Sequence, residues 1–197
     1  MPVVVENDGN AAAFAEATVG AGSGADPVLV VVVGTGIGGG FVSGGRIMQG
    51  AHPQAGNIGH TDVAGAGCAL CPCGGRGHIE AVASAWAVEH DHVARAGPHR
   101  VPYAEIARRA DAGDSVALDV LEVAGRRLAT WLPSMTAVLD PEIVIIGGGA
   151  TRAAAYWNAF MGGVAHGDVD VRRSLLGEDA VAIGAAALAR AQDQEAR

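Results

Sequence analysis

Two aliphatic, largely β-branched runs stand out from an otherwise mixed pattern of apolar and polar positions: VLVVVV (28–33) and EIVIIG (142–147). Unbroken apolar runs of this length predict strands covered on both faces. Each runs directly into glycines, GTGIGGG after the first and GGGA after the second. FVS and IMQG, separated by GGR, predict a hairpin that carries the first strand's sheet onward. Helical spacing of apolar residues predicts helices over 10–18, 80–93, 102–111, 115–139, 151–160 and 178–191. Asp114 is the expected N-cap of the long one, and Pro133 is expected to kink it or end it early. The segments 21–27 (AGSGADP) and 96–102 (AGPHRVP) read as loops. There is no repeat, low-complexity tract or linker, so the pattern predicts one α/β domain.

Composition narrows this picture. Half of the 197 residues are hydrophobic and 17% are charged, as in a globular chain with a proper core. With 13 Lys and Arg against 21 Asp and Glu the net charge is −8, which argues against direct binding of nucleic acid or of an anionic membrane surface. The longest apolar run is far too short to span a bilayer. The opening MPVVVENDG has no basic n-region and no cleavage pattern, so the expected location is cytoplasmic.

All three cysteines lie within six positions, in CALCPCGGRGHIE (68–80). An odd number in such a chain points away from a disulfide scaffold, and a Cys-x-Cys disulfide would close a strained loop. Four tetrahedral N and S ligands are what a structural Zn²⁺ site needs. Cys71, Cys73 and His78 supply three of them on a glycine-rich turn; His60 is the distant fourth, and Cys68 is a spare that could replace either histidine. The plainer reading is a set of free cysteines beside unrelated histidines.

The glycine-rich junctions suggest a nucleotide. In VVVVGTGIGGGF (30–41), backbone N–H groups around Gly34, Gly36 and Gly38 can cradle phosphate oxygens, with Thr35 adding a hydroxyl. A dinucleotide-binding fingerprint would need a helix next, whereas FVSGGRIM reads as strand, and the Gly-Lys-Ser/Thr ending of a P-loop is absent. Gly147, Gly148 and Gly149 form a second strand–glycine–helix junction. In ENDGNAAAFAE (6–16), Asn7, Asp8 and Asn10 open a helix. N-capping accounts for them, but a carboxylate at the mouth of a phosphate cradle is also suited to act as a general base.

Taken in order, ENDGNAAA, GTGIGGG, GNIGH, CPCGGRGHIE and IGGG closely resemble the ROK family (repressors, open reading frames and kinases) over essentially the whole chain. The resemblance implies a lobe of the actin-like ATPase (ribonuclease H-like) fold, a mixed sheet flanked by helices. It implies that Gly34 to Gly40 form a phosphate loop, that Gly147–Gly149 form the adenosine loop, and that 177–189 is a closing helix. By the same resemblance Asp8 is the base acting on a sugar hydroxyl, Asn7, His60 and Glu80 hold the sugar, and His60 also serves the zinc. Three features depart from the family pattern. His78 stands where a third cysteine is usual, and Asn57 replaces the glutamate of the Glu-x-Gly-His sugar motif. The family's N-terminal lobe, with its Asp-x-Gly-Gly-Thr loop, is expected to be missing from the 197 residues.

The resemblance leaves three functions open. One is a hexose kinase using Mg²⁺-ATP, with glucose the expected sugar; another is the sugar-sensing half of a ROK repressor; the third is a fragment inactive by itself. A homodimer is expected by resemblance alone.

Overall fold

The two apolar runs pair side by side, in parallel, at the centre of a five-stranded sheet. The computed structural model of the protein describes residues 3, 5–164 and 169–195. The strands are β1 (Val28–Val33), β2 (Ile37–Ser43), β3 (Arg46–Ile47), β4 (Ile143–Gly147) and β5 (Asp170–Arg173), in the order β3-β2-β1-β4-β5. β2 and β3 join antiparallel, while β1, β4 and β5 run parallel. The β2–β3 turn is Gly44-Gly45, both at positive φ, which is what a two-residue hairpin turn of matching twist requires. β5 was not expected, although DVDVRR alternates with the period of a strand.

The helices are α1 (Asp8–Val19), α2 (Glu80–Ala83), α3 (Ala85–Ala96), α4 (Tyr103–Asp111), α5 (Ser115–Leu139), α6 (Ala154–Gly163) and α7 (Ala180–Glu195). Alternate residues of β1 and β4 serve opposite layers. Val28, Val30, Ile143 and Ile145 pack with Ala13 of α1, whereas Leu29, Val31, Val33, Val144 and Ile146 join the larger core made by α2 to α6. Coverage on both faces is why these strands carry no polar position. α1 in turn packs on α7, where a Cβ on Gly184 would meet the Ala11 carbonyl.

Two helical expectations change. The stretch 80–93 is two helices, because Ser84 turns extended (φ −75°, ψ 168°) and its buried hydroxyl accepts the Ala87 N–H at 3.1 Å, capping α3. α5 does not end at Pro133 but runs on to Leu139, since the burial of Trp131 and Leu132 and the long contact with α6 outweigh a local helix breaker. Asp114 caps α5 as expected, accepting from Val116 and Ala117 at 2.9 and 3.1 Å.

Candidate functional site

α1 begins where Asn7 leaves the helix. Its Oδ1 accepts the N–H groups of Gly9 and Asn10 at 2.9 and 3.3 Å, which leaves the amide Nδ2 as a donor. Asp8 is exposed; its Oδ1 accepts the Gly9 N–H at 2.8 Å, and its other oxygen makes no hydrogen bond among the described residues. Asp8 thus engages the helix end with one oxygen and leaves the other uncommitted.

Close backbone packing brings that helix end to the first glycine motif. A Cβ on Gly9 would lie 2.9 Å from the Gly39 backbone, and one on Gly40 would lie 2.6 Å from the Ala13 Cβ. The stretch 34–40 is therefore not a single loop, as the resemblance implied. Gly34–Gly36 form the turn, Ile37 already belongs to β2, and Gly39 and Gly40 exist to let α1 lie on that strand. Only Gly34 and Gly38 face open space. The first two N–H groups of α3 hold the turn, Ala85 donating to the Gly34 carbonyl at 2.9 Å and Trp86 to that of Thr35 at 3.2 Å.

Asn7, Asp8, Gly34, Thr35, Gly36, Gly38, Asn57 and Glu80 converge on one cleft of about 420 Å³. Glu80 reaches across it. Its Oε2 accepts the Ile37 N–H at 2.9 Å, and its Oε1 lies 3.5 Å from the Cys71 sulfur. The carboxylate thereby ties the turn after β1 to the cysteine loop.

That loop gathers four donors. One ligand atom each from His60, Cys71, Cys73 and His78 falls within 4.8 Å of the others. His60 Nδ1 is 3.7 Å from the Cys71 sulfur and His78 Nδ1 is 3.4 Å from that of Cys73. The tight turn is closed by Gly74 N–H to the Cys71 carbonyl and Cys71 N–H to the Gly75 carbonyl, both 2.9 Å, with Gly74 at φ 90° where only glycine is unstrained. A compact set of two sulfurs and two imidazoles fits tetrahedral Zn²⁺. Cys68 is exposed and stands outside the set. Burial pushes the Cys71 thiol up to about 11, and a bound cation would reverse that by favouring the thiolate. His60 is grouped with this cluster and does not line the cleft.

A second cavity, about 400 Å³, opens at the ends of β4 and β5 and is lined by Gly147, Gly148 and Gly149. Gly148 sits at φ 93°, and a Cβ there would lie 2.3 Å from the Val33 carbonyl oxygen. The buried Tyr103 hydroxyl donates to the Ala150 carbonyl at 2.6 Å and steadies the following turn. Thr151, Arg152, Arg173, Ser174 and Glu178 complete the walls; sequence reasoning missed all five. Arg152 and Glu178 pair at 2.8 Å, and the Arg173 guanidinium lies 4.0 Å above the Trp157 ring. The alternation that betrays β5 was the available signal for Arg173 and Ser174. Ala12, Val32 and Val181 line both cavities, so the two lie side by side and share a wall.

Among the described residues no helix is long and apolar enough to cross a membrane. The profile of the ROK family matches residues 1–192. A glucokinase from Halalkalibacterium halodurans is 36% identical over 215 residues, covering 98% of this chain and 65% of the glucokinase. The chain thus spans somewhat under two thirds of that relative. Among solved structures, the ROK hexokinase of Thermus thermophilus superposes with TM-score 0.90 at 35% identity, over 98% of this chain and 67% of that one. A Streptomyces griseus ROK glucokinase in complex with glucose and AMPPNP gives 0.85 at 31%, over 96% and 69%. A ROK transcriptional regulator, a homologue of the E. coli MLC protein, gives 0.78 at 29%, over 94% and 51%. The mixed sheet with helices on both faces is the actin-like ATPase fold of the ROK sugar kinases. A match that runs from the first helix through the cysteine loop to the last helix leaves one conclusion: the chain belongs to the ROK family.

Proposed function

We propose that this chain carries the sugar-binding and nucleotide-binding surfaces of a ROK-type hexose kinase. The observation that carries the reading is the pair of adjoining cavities with a shared wall of Ala12, Val32 and Val181. A carboxylate with one uncommitted oxygen, Asp8, lies at one end, and a glycine-lined pocket at the ends of parallel strands lies at the other. The glucokinase relative, and the neighbour holding glucose and AMPPNP, support glucose and ATP as substrates.

In this reading Asn7, Asn57 and Glu80 orient the sugar, and Asp8 accepts the proton of the attacking hydroxyl. The sugar oxygen bonds to the γ-phosphorus, the bond to the bridging oxygen breaks, and ADP leaves. Open glycines at Gly34 and Gly38 leave room and backbone N–H groups for the transferred phosphoryl, while Gly147–Gly149 receive the adenosine. Mg²⁺ arriving with ATP would supply positive charge to the phosphates. His60, Cys71, Cys73 and His78 would hold a Zn²⁺, which would fix the loop that meets Glu80. Asn57, lacking the charge of the family's glutamate, accepts and donates hydrogen bonds without an anionic acceptor.

Asp8→Asn tests the reading, because it preserves shape but cannot take up a proton. Glucose phosphorylation should fall on the order of 10²–10⁴-fold in kcat with little change in KM. Full activity in the variant would reduce Asp8 to a helix-end residue. Glucose binding with no phosphorylation in the unmodified protein would leave the sensor reading, for which the regulator's shared fold provides a precedent, and the inactive fragment.

A further inference from the structure

One buried carboxylate has no part in the chemistry just described. Glu16, near the C-terminal end of α1, is only 1% exposed and forms no ion pair among the described residues. A buried anion without a cation is costly unless hydrogen bonds replace its water. Here four donors do so. Oε1 accepts the Ser174 hydroxyl at 2.5 Å and the Leu176 N–H at 2.9 Å; Oε2 accepts the Ala21 N–H at 2.9 Å and the Leu175 N–H at 3.3 Å.

Three of these donors belong to residues 174–176, which have no regular structure and lead from β5 into the Gly177–Asp179 turn. Both sides of that connection touch the second cavity: Ser174, Gly177 and Glu178 line it, as does Glu16 itself. Ser174 also abuts the glycine loop, since a Cβ on Gly147 would fall 2.9 Å from its Cβ. At the other end of the same helix stands Asp8, eight residues away and so about 12 Å along the axis.

We infer that Glu16 is a positioning residue, holding the nucleotide-side wall of the cleft in register with the helix that presents Asp8. The inference rests on the kinase reading of the cleft. Its content is that Glu16 ties this turn to α1: the Leu175 and Leu176 N–H groups have Glu16 as their acceptor, and α1 runs from the base to that turn. With Glu16 in place the turn cannot slide past α1 without stripping donors from a buried charge.

Glu16→Gln is nearly isosteric but turns an NH₂ group toward two of the four donors. Calorimetric titration with AMPPNP, and separately with glucose, reads the outcome. The variant should bind AMPPNP on the order of tenfold more weakly, the size of one hydrogen bond to a charged group, while glucose affinity is unchanged. Amide exchange should quicken at Leu175 and Leu176. Ser174→Ala, which removes a single donor and keeps the fold, should weaken AMPPNP in the same direction by a smaller factor.

Unchanged AMPPNP affinity in both variants would overturn the inference. So would equal loss of glucose and AMPPNP in Glu16→Gln with no effect of Ser174→Ala, which would make Glu16 a stabilising residue only. If the unmodified chain binds no AMPPNP, the kinase reading itself fails and the inference falls with it. That result is seen before any variant is made.

Discussion

The two ends of the cleft are built by different means. At the Asp8 end, residues from five separate places meet: the start of α1, the Gly34–Gly36 turn, Asn57, the cysteine loop and Glu80. Close packing at Gly9 and Gly40 seats α1 on β2, and side chains tie in the other pieces, above all Glu80, which joins Ile37 to Cys71. At the Gly148 end the walls are the ends of two parallel strands and the turns that follow, and the glycine loop itself is set by backbone contact with Val33. A site assembled by side chains can change one residue at a time. A site made by close backbone approach has no such freedom, because the missing Cβ is itself the contact.

The largest effect should come from removing the metal ligand set. Purified protein should hold close to one Zn²⁺ per chain, and Cys73→Ser should lose it. The melting temperature should drop by about 10 °C, roughly 3–5 kcal/mol at about 2–4 °C per kcal/mol for a chain of this size. Glucose binding should vanish while AMPPNP binding persists. A variant that melts like the parent would show that the loop is not zinc-held, and the contrast between the ends would lose its clearest feature.

Gly148→Ala should do the reverse. Its Cβ would collide with the Val33 carbonyl in a backbone conformation that disfavours alanine, at about 2–3 kcal/mol. AMPPNP binding should be lost and glucose binding kept. If the two ligands suffer equally, the ends are not independent.

The smallest effect concerns Glu6, which supports the Asp8 end by accepting from Asn7, Asn10 and Gln49. Burial alone would raise its pKa, but the three hydrogen bonds outweigh that and hold it below the ordinary 4.5. Because the folded value is depressed, this stabilisation is complete above about pH 4.5 and is lost as the pH falls through the folded value. Glu6→Gln should cost about 0.5–1 kcal/mol at neutral pH. In denaturant titrations, the gap from the parent should close on acidification below 4.5. A gap independent of pH would remove Glu6 from the account.

Much of the chemistry was legible before any fold. Cys71, Cys73 and His78 are close in sequence, so their grouping is a local property, and His60 joins them over a short loop. Asn7 and Asp8 announce a helix start by residue type alone. What resisted reading was whatever depended on distant partners. Ser84 splits 80–93 because α3's first N–H groups are needed by the Gly34–Gly36 turn. Gly39 and Gly40 looked like part of a phosphate loop because a glycine looks the same whether it faces a ligand or a helix. Glu16 carried no signal in the sequence, since three of its four donors lie 158–160 positions away.

By itself the sequence determined the central strands, most of the helices, the family and the four side chains of the His/Cys cluster. Each of these is written in residue type and local spacing, which the chain carries whether or not it is folded. Only the tertiary structure decided which glycines face the cleft, that two cavities share a wall, and that a buried carboxylate binds α1 to the turn after β5. Those facts depend on burial and on which backbone N–H groups still lack an acceptor, and both come into being only when remote segments pack.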